Sequence, residues 1–320
     1  MSDWRPAANP NMLVARATLN QQIRNFFRAR GVLEVETPLL ARSIGTDPNL
    51  HPITAAYQAW PHASVDTFYL QTSPEFAMKR LLAAGSGSIF QLCKAFRNGE
   101  SGSRHNPEFT MLEWYQPGYS LAQLMDEVEA LITAVLGHLS CTRRSYGDLF
   151  EHLLGIDPHA VTTTDLQQLV QQHLELSEPD PDHDTCLELL YSHVIEPQLQ
   201  DAVIIYDYPA SQAALAKVAL NDKGQRIARR FELVIRGMEI ANGYDELLDP
   251  QEQLQRFAHD QRLRIARGLP EVTADQHLLA ALNHGLPACA GVALGVDRLL
   301  MLQTGATTID GVLTFPLGRV

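Results

Sequence analysis

The sequence has few basic residues relative to acidic ones. Its 25 Lys and Arg residues stand against 37 Asp and Glu residues, which gives a formal net charge of −12 at pH 7. Affinity for nucleic acid comes largely from Lys and Arg side chains that neutralise phosphates. The composition therefore argues against a nucleic acid as the partner.

Long hydrophobic runs are also missing. The longest apolar stretches, such as residues 288–296, fall far short of the roughly 18 residues that a membrane-spanning helix needs. The first residues, Met-Ser-Asp-Trp-Arg-Pro, lack the charged-then-apolar pattern of a targeting signal. We expect a soluble, cytoplasmic protein without a membrane partner.

Cysteine is scarce, and several ligand-binding motifs are absent. The four cysteines, Cys93, Cys141, Cys186 and Cys289, form no C-x-x-C pair, and the twelve histidines never form H-E-x-x-H. This pattern fits buried thiols in a reducing compartment better than disulfides or a zinc site. There is no P-loop or Rossmann fingerprint either, so any nucleotide must be held in another way.

The chain is expected to form one large domain. With 45% hydrophobic residues it can bury a large core, and no long Gly/Ser tract or charge block divides its 320 residues. We assign residues 1–10 to an N-terminal arm and residues 11–320 to the domain. Residues 175–184 are acidic and contain two prolines, so we interpret them as a solvated surface loop rather than a docking patch.

Hydrophobic periodicity and capping residues predict helices mixed with strands. Asn9-Pro10 starts a helix to about residue 30, with an apolar stripe of Leu13, Ala17, Ile23, Phe26 and Phe27. Further helices are expected from residue 73, over 120–139, within 164–199, over 251–267 and 275–283, and from 297. Strands are expected at 32–36, 88–96, 108–115, 202–208, 230–235 and 289–296. This order is not the strand-helix alternation of a doubly wound sheet. It predicts an α+β fold with a mainly antiparallel sheet flanked by helices.

Three separated segments carry the chemistry. They read RGVLEVETP (30–38), SIFQLCKAFRNGESGSRHNPEFTMLEWY (88–115) and GVALGVDRLLML (291–302). In this order they resemble motifs 1, 2 and 3 of class II aminoacyl-tRNA synthetases. A fourth segment, RFELVIRGMEIANGYDEL (230–247), resembles the catalytic domain of lysyl-tRNA synthetases. The resemblance runs from about residue 11 to the end and implies activation of an amino acid with ATP.

Two arginines are the candidate catalytic residues. Attack of a carboxylate on the α-phosphate of ATP brings two anions together, so the site must supply cations. Guanidinium groups bind phosphate oxygens bidentately. The resemblance implies that Arg97 holds the α-phosphate and Arg298 the terminal phosphate; ordinary surface salt bridges are the alternative. It further implies ATP contacts from Asn98, Gly99, Glu100, His105, Asn106, Glu232, Leu233 and Gly295.

The resemblance also implies Mg²⁺, held by Glu232 and Glu239. Magnesium commonly takes one or two protein carboxylates plus phosphate oxygens. The two glutamates are seven positions apart, which would place them on opposite faces of one continuous strand. The chain must therefore break between them, and Gly237 is the expected position. Without that break the assignment fails.

The expected substrate is a positively charged amino acid. A buried ammonium group needs carboxylates and hydrogen bonds around it. The resemblance places Glu75 at the α-amino group and Glu113 and Glu246 at the side-chain amine. It adds Ser73, Pro74, Tyr115, Glu239, Asn242 and Ala293 as further substrate contacts. Alternatively, Glu75 is only a first-turn helix acid and Glu113 a solvated strand residue.

Two positions depart from the family pattern. Motif 2 usually reads Arg-x-Glu, but here Gly99 follows Arg97-Asn98 and Glu100 comes next. Either Glu100 contacts adenine instead or adenine is held more loosely. In motif 3, Ala293 stands where lysyl-tRNA synthetases carry glycine. Its extra methyl costs ~1–3 kcal/mol if it overpacks a site fitted to α-lysine, whereas a shifted amino group would fit.

A third departure concerns the acceptor. Lysyl-tRNA synthetases place an anticodon-reading OB-fold domain before the core, and here about ten residues precede the first helix. This matches relatives within the family that modify a protein. The resemblance implies that (R)-β-lysine or lysine is transferred to a lysine ε-amino group of elongation factor P by a homodimer built on motif 1. An aminoacyl-tRNA or small-molecule ligase, and a non-catalytic amino-acid sensor, remain alternatives.

Overall fold

The computed structural model describes residues 4–175 and 181–320. The helices are α1 Pro10–Arg28, α2 Glu75–Ala83, α3 Leu121–Leu136, α4 Tyr146–Leu154, α5 Thr163–His173, α6 His183–Leu190, α7 Pro250–Ala266, α8 Gln276–Gly285 and α9 Val296–Thr304. The strands are β1 Leu33–Glu34, β2 Leu40–Ala41, β3 Ile53–Gln58, β4 Val65–Leu70, β5 Ile89–Phe96, β6 Glu108–Pro117, β7 Cys141–Ser145, β8 Ala202–Pro209, β9 Val218–Leu220, β10 Arg226–Ile235, β11 Glu239–Asp245 and β12 Cys289–Gly295.

One large sheet organises the fold. Its strands follow the order β1-β5-β6-β12-β11-β10-β8-β7, and β9 pairs with β10. The pairs are antiparallel except β1 with β5 and β7 with β8. A second sheet has the order β2-β4-β3. These features confirm the predicted α+β class with a mainly antiparallel sheet. The boundary between an arm and the domain at residue 10 stays a prediction, and residues 1–3 lie outside the described part.

The two faces of the large sheet are covered differently. Successive side chains of a strand point to opposite faces, and on one face apolar side chains such as Leu112, Leu233 and Leu294 join the core formed with α1, α3 and α9. The other face is covered at one end by α2, α7 and α8 and at the other by α4 to α6. The central strands between these two helical groups are left uncovered, and the site lies there.

The first helix begins as expected but packs with a different stripe. The side chain of Asn9 accepts a hydrogen bond from the Met12 amide, and Gly31 follows the helix with a φ of 70°. Leu19, Ile23, Phe26 and Phe27 are buried, whereas Leu13 and Ala17 are exposed. The predicted stripe was therefore wrong in its first half, where Met12 and Ala15 rather than Leu13 and Ala17 pack against the core.

Other differences are local. The predicted strand at 32–36 contains only Leu33–Glu34. The strands β2, β3, β4, β7, β9 and β11 and the helix α4 were not predicted. Within the predicted loop at 175–184, residues 176–180 lie outside the described part. Asp182 is the N-cap of α6, so the last two positions of the predicted loop belong to that helix. The loop interpretation was thus wrong at its C-terminal end. Across the described residues, no helix has the length and apolar character needed to cross a membrane.

Candidate active site

A cavity of ≈ 420 Å³ lies on the central strands between the two helical groups. It joins a wider cleft of ≈ 1610 Å³, and Glu75, Arg230 and Glu239 line both. Most of the predicted site residues line the cavity, although they come from four separate segments of the chain. They are Ser73, Glu75, Arg97, Glu100, His105, Asn106, Glu113, Tyr115, Glu239, Asn242, Glu246, Ala293, Gly295 and Arg298.

Strand register aligns these side chains in two rows. Directly paired residues on neighbouring strands share a face of the sheet, as do residues two positions apart. One row crosses β6, β12, β11 and β10 through Glu113, Ala293, Asn242 and Glu232. The second row crosses the same strands through Tyr115, Gly291, Tyr244 and Arg230. The sequence alone does not show which residues are paired across neighbouring strands. No role was therefore assigned from the sequence to Gly291, Tyr244 or Arg230.

Gly291 allows a close approach between strands. A Cβ atom at this position would lie 2.3 Å from the Tyr115 ring and 2.5 Å from Oε1 of Glu246. Contacts of this length are sterically forbidden for any side chain. Glycine is thus required at position 291 so that the Tyr115 ring and the Glu246 carboxylate can both pack against the backbone there.

Glu113 is held by two hydroxyl groups. Ser73 donates to its Oε2 at 2.7 Å, and Tyr115 donates to its Oε1 at 2.6 Å. The side chain is buried rather than solvated, so the alternative of an ordinary exposed strand residue does not apply. Burial and the nearby Glu75 raise the pKa of Glu113 to about 7, although the hydroxyl donors oppose the shift. A bound ammonium group would stabilise the ionised form.

A lysine that the sequence reading overlooked lies beside the other two acids. Nζ of Lys79 is 2.5 Å from Glu75 and 2.6 Å from Glu246. Burial raises the pKa of Glu246 to about 8, with Glu75 adding to the shift and Lys79 opposing it. Burial alone would lower the pKa of Lys79, but Glu246 and Glu75 outweigh it and raise that pKa. The i, i+4 spacing of Glu75 and Lys79 was the available signal in the sequence.

The arginine of motif 3 lies at the opposite end of the cavity. The Arg298 guanidinium donates to the Glu239 carbonyl at 2.8 Å and to Nε2 of His105 at 2.6 Å. Burial and then Arg298 lower the pKa of His105, which keeps the imidazole neutral and able to accept this bond. The preceding residue, Asp297, accepts the Thr110 amide at 2.6 Å and pairs with Arg16. It thereby fixes α9 against β6 and α1.

The arginine of motif 2 is positioned for an anion. Arg97 lines the cavity 5.1 Å from the Phe109 ring and 3.5 Å from Glu100. Its buried Nε has no hydrogen-bond partner among the residues that the structure describes. Gly99 has a φ of 82°, a conformation that side chains rarely adopt, and it turns Glu100 toward the cavity. This arrangement favours Glu100 over a loosely held adenine.

Five of the predicted residues, including Gly99 in the turn before Glu100, lie apart from the cavity lining. Leu233 is buried in the core on the opposite face, and Pro74 caps α2. The Asn98 amide donates to the His51 carbonyl at 2.7 Å. Glu232 lines the wider cleft instead. Asn106 does line the cavity, but its side chain bonds the Glu108 carbonyl and the Leu317 amide.

The chain does break between Glu232 and Glu239. A turn containing Arg236 at a φ of 54° and Gly237 at 61° joins β10 to β11, and the register shifts at Leu233 and Val234. Both glutamates consequently face the cleft. Burial raises the pKa of Glu232 to about 7, and Glu239 adds to the shift, while Arg230 and the 2.8 Å bond from Tyr208 oppose it.

The donor set suits magnesium better than a metal enclosed by protein. Within residues 4–175 and 181–320, no group of three or more His, Cys, Asp or Glu side chains is arranged to hold a metal ion. The two glutamates are at most a carboxylate pair, which is what Mg²⁺ uses when phosphates and water supply its other ligands. Asn242 adds a buried Oδ1 that has no partner within those residues.

Comparisons with known proteins agree with this site. The family profile described as tRNA synthetases class II (D, K and N) matches residues 1–319. A protein of Vibrio cholerae named elongation factor P–(R)-β-lysine ligase is 49% identical over 322 residues, which cover 99% of each chain. Proteins with the same name from Pseudoalteromonas translucida and Yersinia enterocolitica are 48% and 47% identical, over 99% of this chain and 98% of theirs.

Proposed function

The chain belongs to the class II tRNA synthetases of the aspartate, lysine and asparagine group, and on that premise we propose which reaction it catalyses. It is an ATP-dependent ligase that activates (R)-β-lysine, or lysine, as an adenylate. It then transfers the amino acid to a lysine ε-amino group of elongation factor P. The names of relatives that match almost the whole chain support this assignment.

One observation carries the proposal: the cavity has an acidic end and a basic end. Glu75, Glu113 and Glu246 are grouped at the first, and Arg97 and Arg298 line the second. A lysine-type amino acid carries ammonium groups that suit the acids. Its carboxylate would then point toward the arginines, where the phosphates of ATP suit the guanidinium groups.

The first reaction step uses this polarity. A carboxylate oxygen of the amino acid forms a bond to the α-phosphorus of ATP, and the bond to the β-phosphate oxygen breaks, so pyrophosphate leaves. Arg97 stabilises the charge that develops on the α-phosphate, and Arg298 holds the terminal phosphate. The Arg298 guanidinium is held before ATP arrives by its contact with His105, and Arg97 lies 3.5 Å from Glu100. Such preorganisation lowers the barrier.

In the second step the acceptor amine, in its neutral form, attacks the carbonyl carbon of the adenylate. The carbon–oxygen bond to AMP breaks, an amide forms and the amine loses a proton. No covalent intermediate with the enzyme is required.

Magnesium would be held by Glu239 and Glu232 together with phosphate oxygens. When bound, it would neutralise phosphate charge during pyrophosphate release. Glu232 is anchored by Tyr208 and Arg230, so its carboxylate is already oriented toward the cleft.

Ala293 supports the β-amino isomer over α-lysine. It is paired with Glu113 on one side and Asn242 on the other, in the middle of the predicted amino-acid contacts. Its methyl group occupies space in which glycine would leave room for an α-amino group.

The test is pyrophosphate exchange with (R)-β-lysine and with α-lysine, followed by mass spectrometry of elongation factor P. We expect exchange with (R)-β-lysine and a mass increase of the acceptor by one β-lysyl group. Binding without exchange would identify an amino-acid sensor. Charging of tRNA with an unchanged acceptor protein would identify the aminoacyl-tRNA ligase.

We also propose that the enzyme is a homodimer in the cytoplasm. Large apolar side chains of α1 and of motif 1, including Leu13 and Val14 in α1 and Leu33 in motif 1, are exposed in the single chain, and a second copy would cover them. Sedimentation should give twice the chain mass of 35.6 kDa. A monomer at micromolar concentration would contradict this.

A further inference from the structure

Lys79 lies behind the acidic end of the cavity. It is on α2, one turn after Glu75, and its side chain is only 2% exposed. Its ammonium group joins Glu75 at 2.5 Å to Glu246 at 2.6 Å. Lys79 is not among the side chains that line the cavity, so any influence on a substrate must pass through the two carboxylates.

The charges at this end balance those of a diamine. Glu75, Glu113 and Glu246 with Lys79 leave two negative charges when all four groups are ionised. A lysine-type amino acid brings two ammonium groups. Three carboxylates without an internal cation would oppose each other's ionisation, and one of them would keep a proton at neutral pH. A protonated carboxyl group cannot form the ion pair that a buried ammonium needs.

On the basis of the proposed function, we propose that Lys79 is a positioning residue that sets specificity for a diamino acid. Its ammonium group lowers the pKa of Glu246 and holds the Glu75 and Glu246 carboxylates in place in the empty cavity. It also reduces the negative charge to the two units that one substrate molecule neutralises. The proposal rests on the two ion-pair distances, the burial of Lys79 and its place outside the cavity lining.

Several ionisable groups on other elements share this region. They are Glu113 and Tyr115 on β6, Tyr244 on β11, Glu246 after β11 and Cys289 on β12. Lys79 lowers the pKa of both Glu113 and Cys289. Removal of its charge should therefore raise the pKa of the carboxylates that receive the substrate.

The experiment measures the KM for (R)-β-lysine by pyrophosphate exchange from pH 6 to 9.5. Variants Lys79→Gln and Lys79→Arg are compared with wild type. Lys79→Gln keeps a hydrogen-bond donor but no charge. Its KM should rise by about five- to tenfold at pH 7 and less than about threefold at pH 9, as a carboxylate pKa raised by about one unit requires. The KM for ATP should stay unchanged.

Lys94→Gln is the matched control, because Lys94 is 42% exposed and pairs with Glu108 at 3.4 Å on the surface. It should leave the KM unchanged at every pH. A Lys79→Gln variant with a pH-independent change in KM, or none, would overturn the proposal.

Lys79→Arg keeps the positive charge but changes the shape of the charged group. In the plot of KM against pH, the rise of KM toward low pH should therefore occur at the same pH as in wild type. If Lys79→Gln does not fold, the result for Lys79→Arg tests the proposal by itself. A KM rise displaced by about one pH unit in Lys79→Arg would contradict the proposal. Exchange by wild type with either lysine isomer is measured first. Its absence would refute the proposed function, whereas normal wild-type exchange with unaltered variant profiles refutes only the role of Lys79.

Discussion

Ala293 is paired with Glu113 across strands β12 and β6, and both side chains face the cavity. The methyl group thus lies next to a carboxylate that we expect to bind the substrate amine. The Ala293 methyl group can select between the lysine isomers only if the bound substrate fills the space next to it. That condition can be tested with a single methyl deletion.

Ala293→Gly should shift selectivity toward α-lysine. The ratio of kcat/KM for α-lysine to that for (R)-β-lysine should rise about tenfold, because relief of overpacking by ~1.4 kcal/mol corresponds to that factor. Pyrophosphate exchange with both isomers measures it. Ala288→Gly, at an exposed position just before β12, is the control. An unchanged ratio would show that Ala293 does not select the isomer.

The stability of the free enzyme should depend on pH through its buried acids. Burial raises the pKa of Glu113 and Glu232 to about 7 and that of Glu246 to about 8, above the ordinary value of 4.5. Between these values the folded state binds more protons than the unfolded state, so the free energy of unfolding decreases as pH rises from about 5 to 8.

Glu113→Gln should make that decrease smaller, because it removes one of the groups that titrate. Thermal melting of the free enzyme from pH 5 to 8.5 measures the slope. Glu151→Gln is the control, since the Glu151 side chain is 68% exposed and lies outside motif 1. An equal slope in wild type and Glu113→Gln would mean that Glu113 does not titrate in this range.

The sequence could predict the site better than its surroundings. The start of α1 after Asn9, the start of α2 just after Ser73 and the pair β5 and β6 follow from local capping residues and alternation, so they were predictable. The sheet β2-β4-β3 was not, because short strands exposed on one face have weak alternation. Lys79 and Gly291 were missed because their importance depends on contacts with Glu246, which is distant in sequence.

Arg298→Lys should separate charge from shape at the phosphate end. Lysine keeps the positive charge but cannot bond His105 and the Glu239 carbonyl while also forming a bidentate contact with phosphate. We expect kcat/KM for ATP to fall by roughly 10²-fold, as for loss of one preorganised donor. Arg24→Lys is the control, because Arg24 is 39% exposed and pairs with Glu34 on the surface. Retained activity would exclude Arg298 from phosphate binding.

Glu100→Gln should weaken ATP recognition if Glu100 replaces the glutamate absent at Gly99. The loss of one charged acceptor for the adenine amino group predicts a KM for ATP raised roughly tenfold, from a hydrogen bond worth about 1.5 kcal/mol. The KM for (R)-β-lysine should not change. Glu108→Gln is the control, since the Glu108 side chain is 53% exposed. Equal KM values for ATP in wild type and Glu100→Gln would favour adenine held without this carboxylate.

Gly291→Ala should abolish amino-acid binding while ATP binding persists. The added Cβ would lie 2.3 Å from the Tyr115 ring and 2.5 Å from the Glu246 carboxylate, so at least one of these side chains must move. Overpacking of this kind costs typically 1–3 kcal/mol of stability, and displaced carboxylates no longer match the substrate amine. Calorimetric titration with (R)-β-lysine and with ATP distinguishes the two losses. Gly318→Ala is the control, because no atom of the described residues, apart from its chain neighbours, lies within 4 Å of a Cβ there. If Gly291→Ala bound (R)-β-lysine as wild type does, the amino-acid pocket would have to lie away from Tyr115 and Glu246.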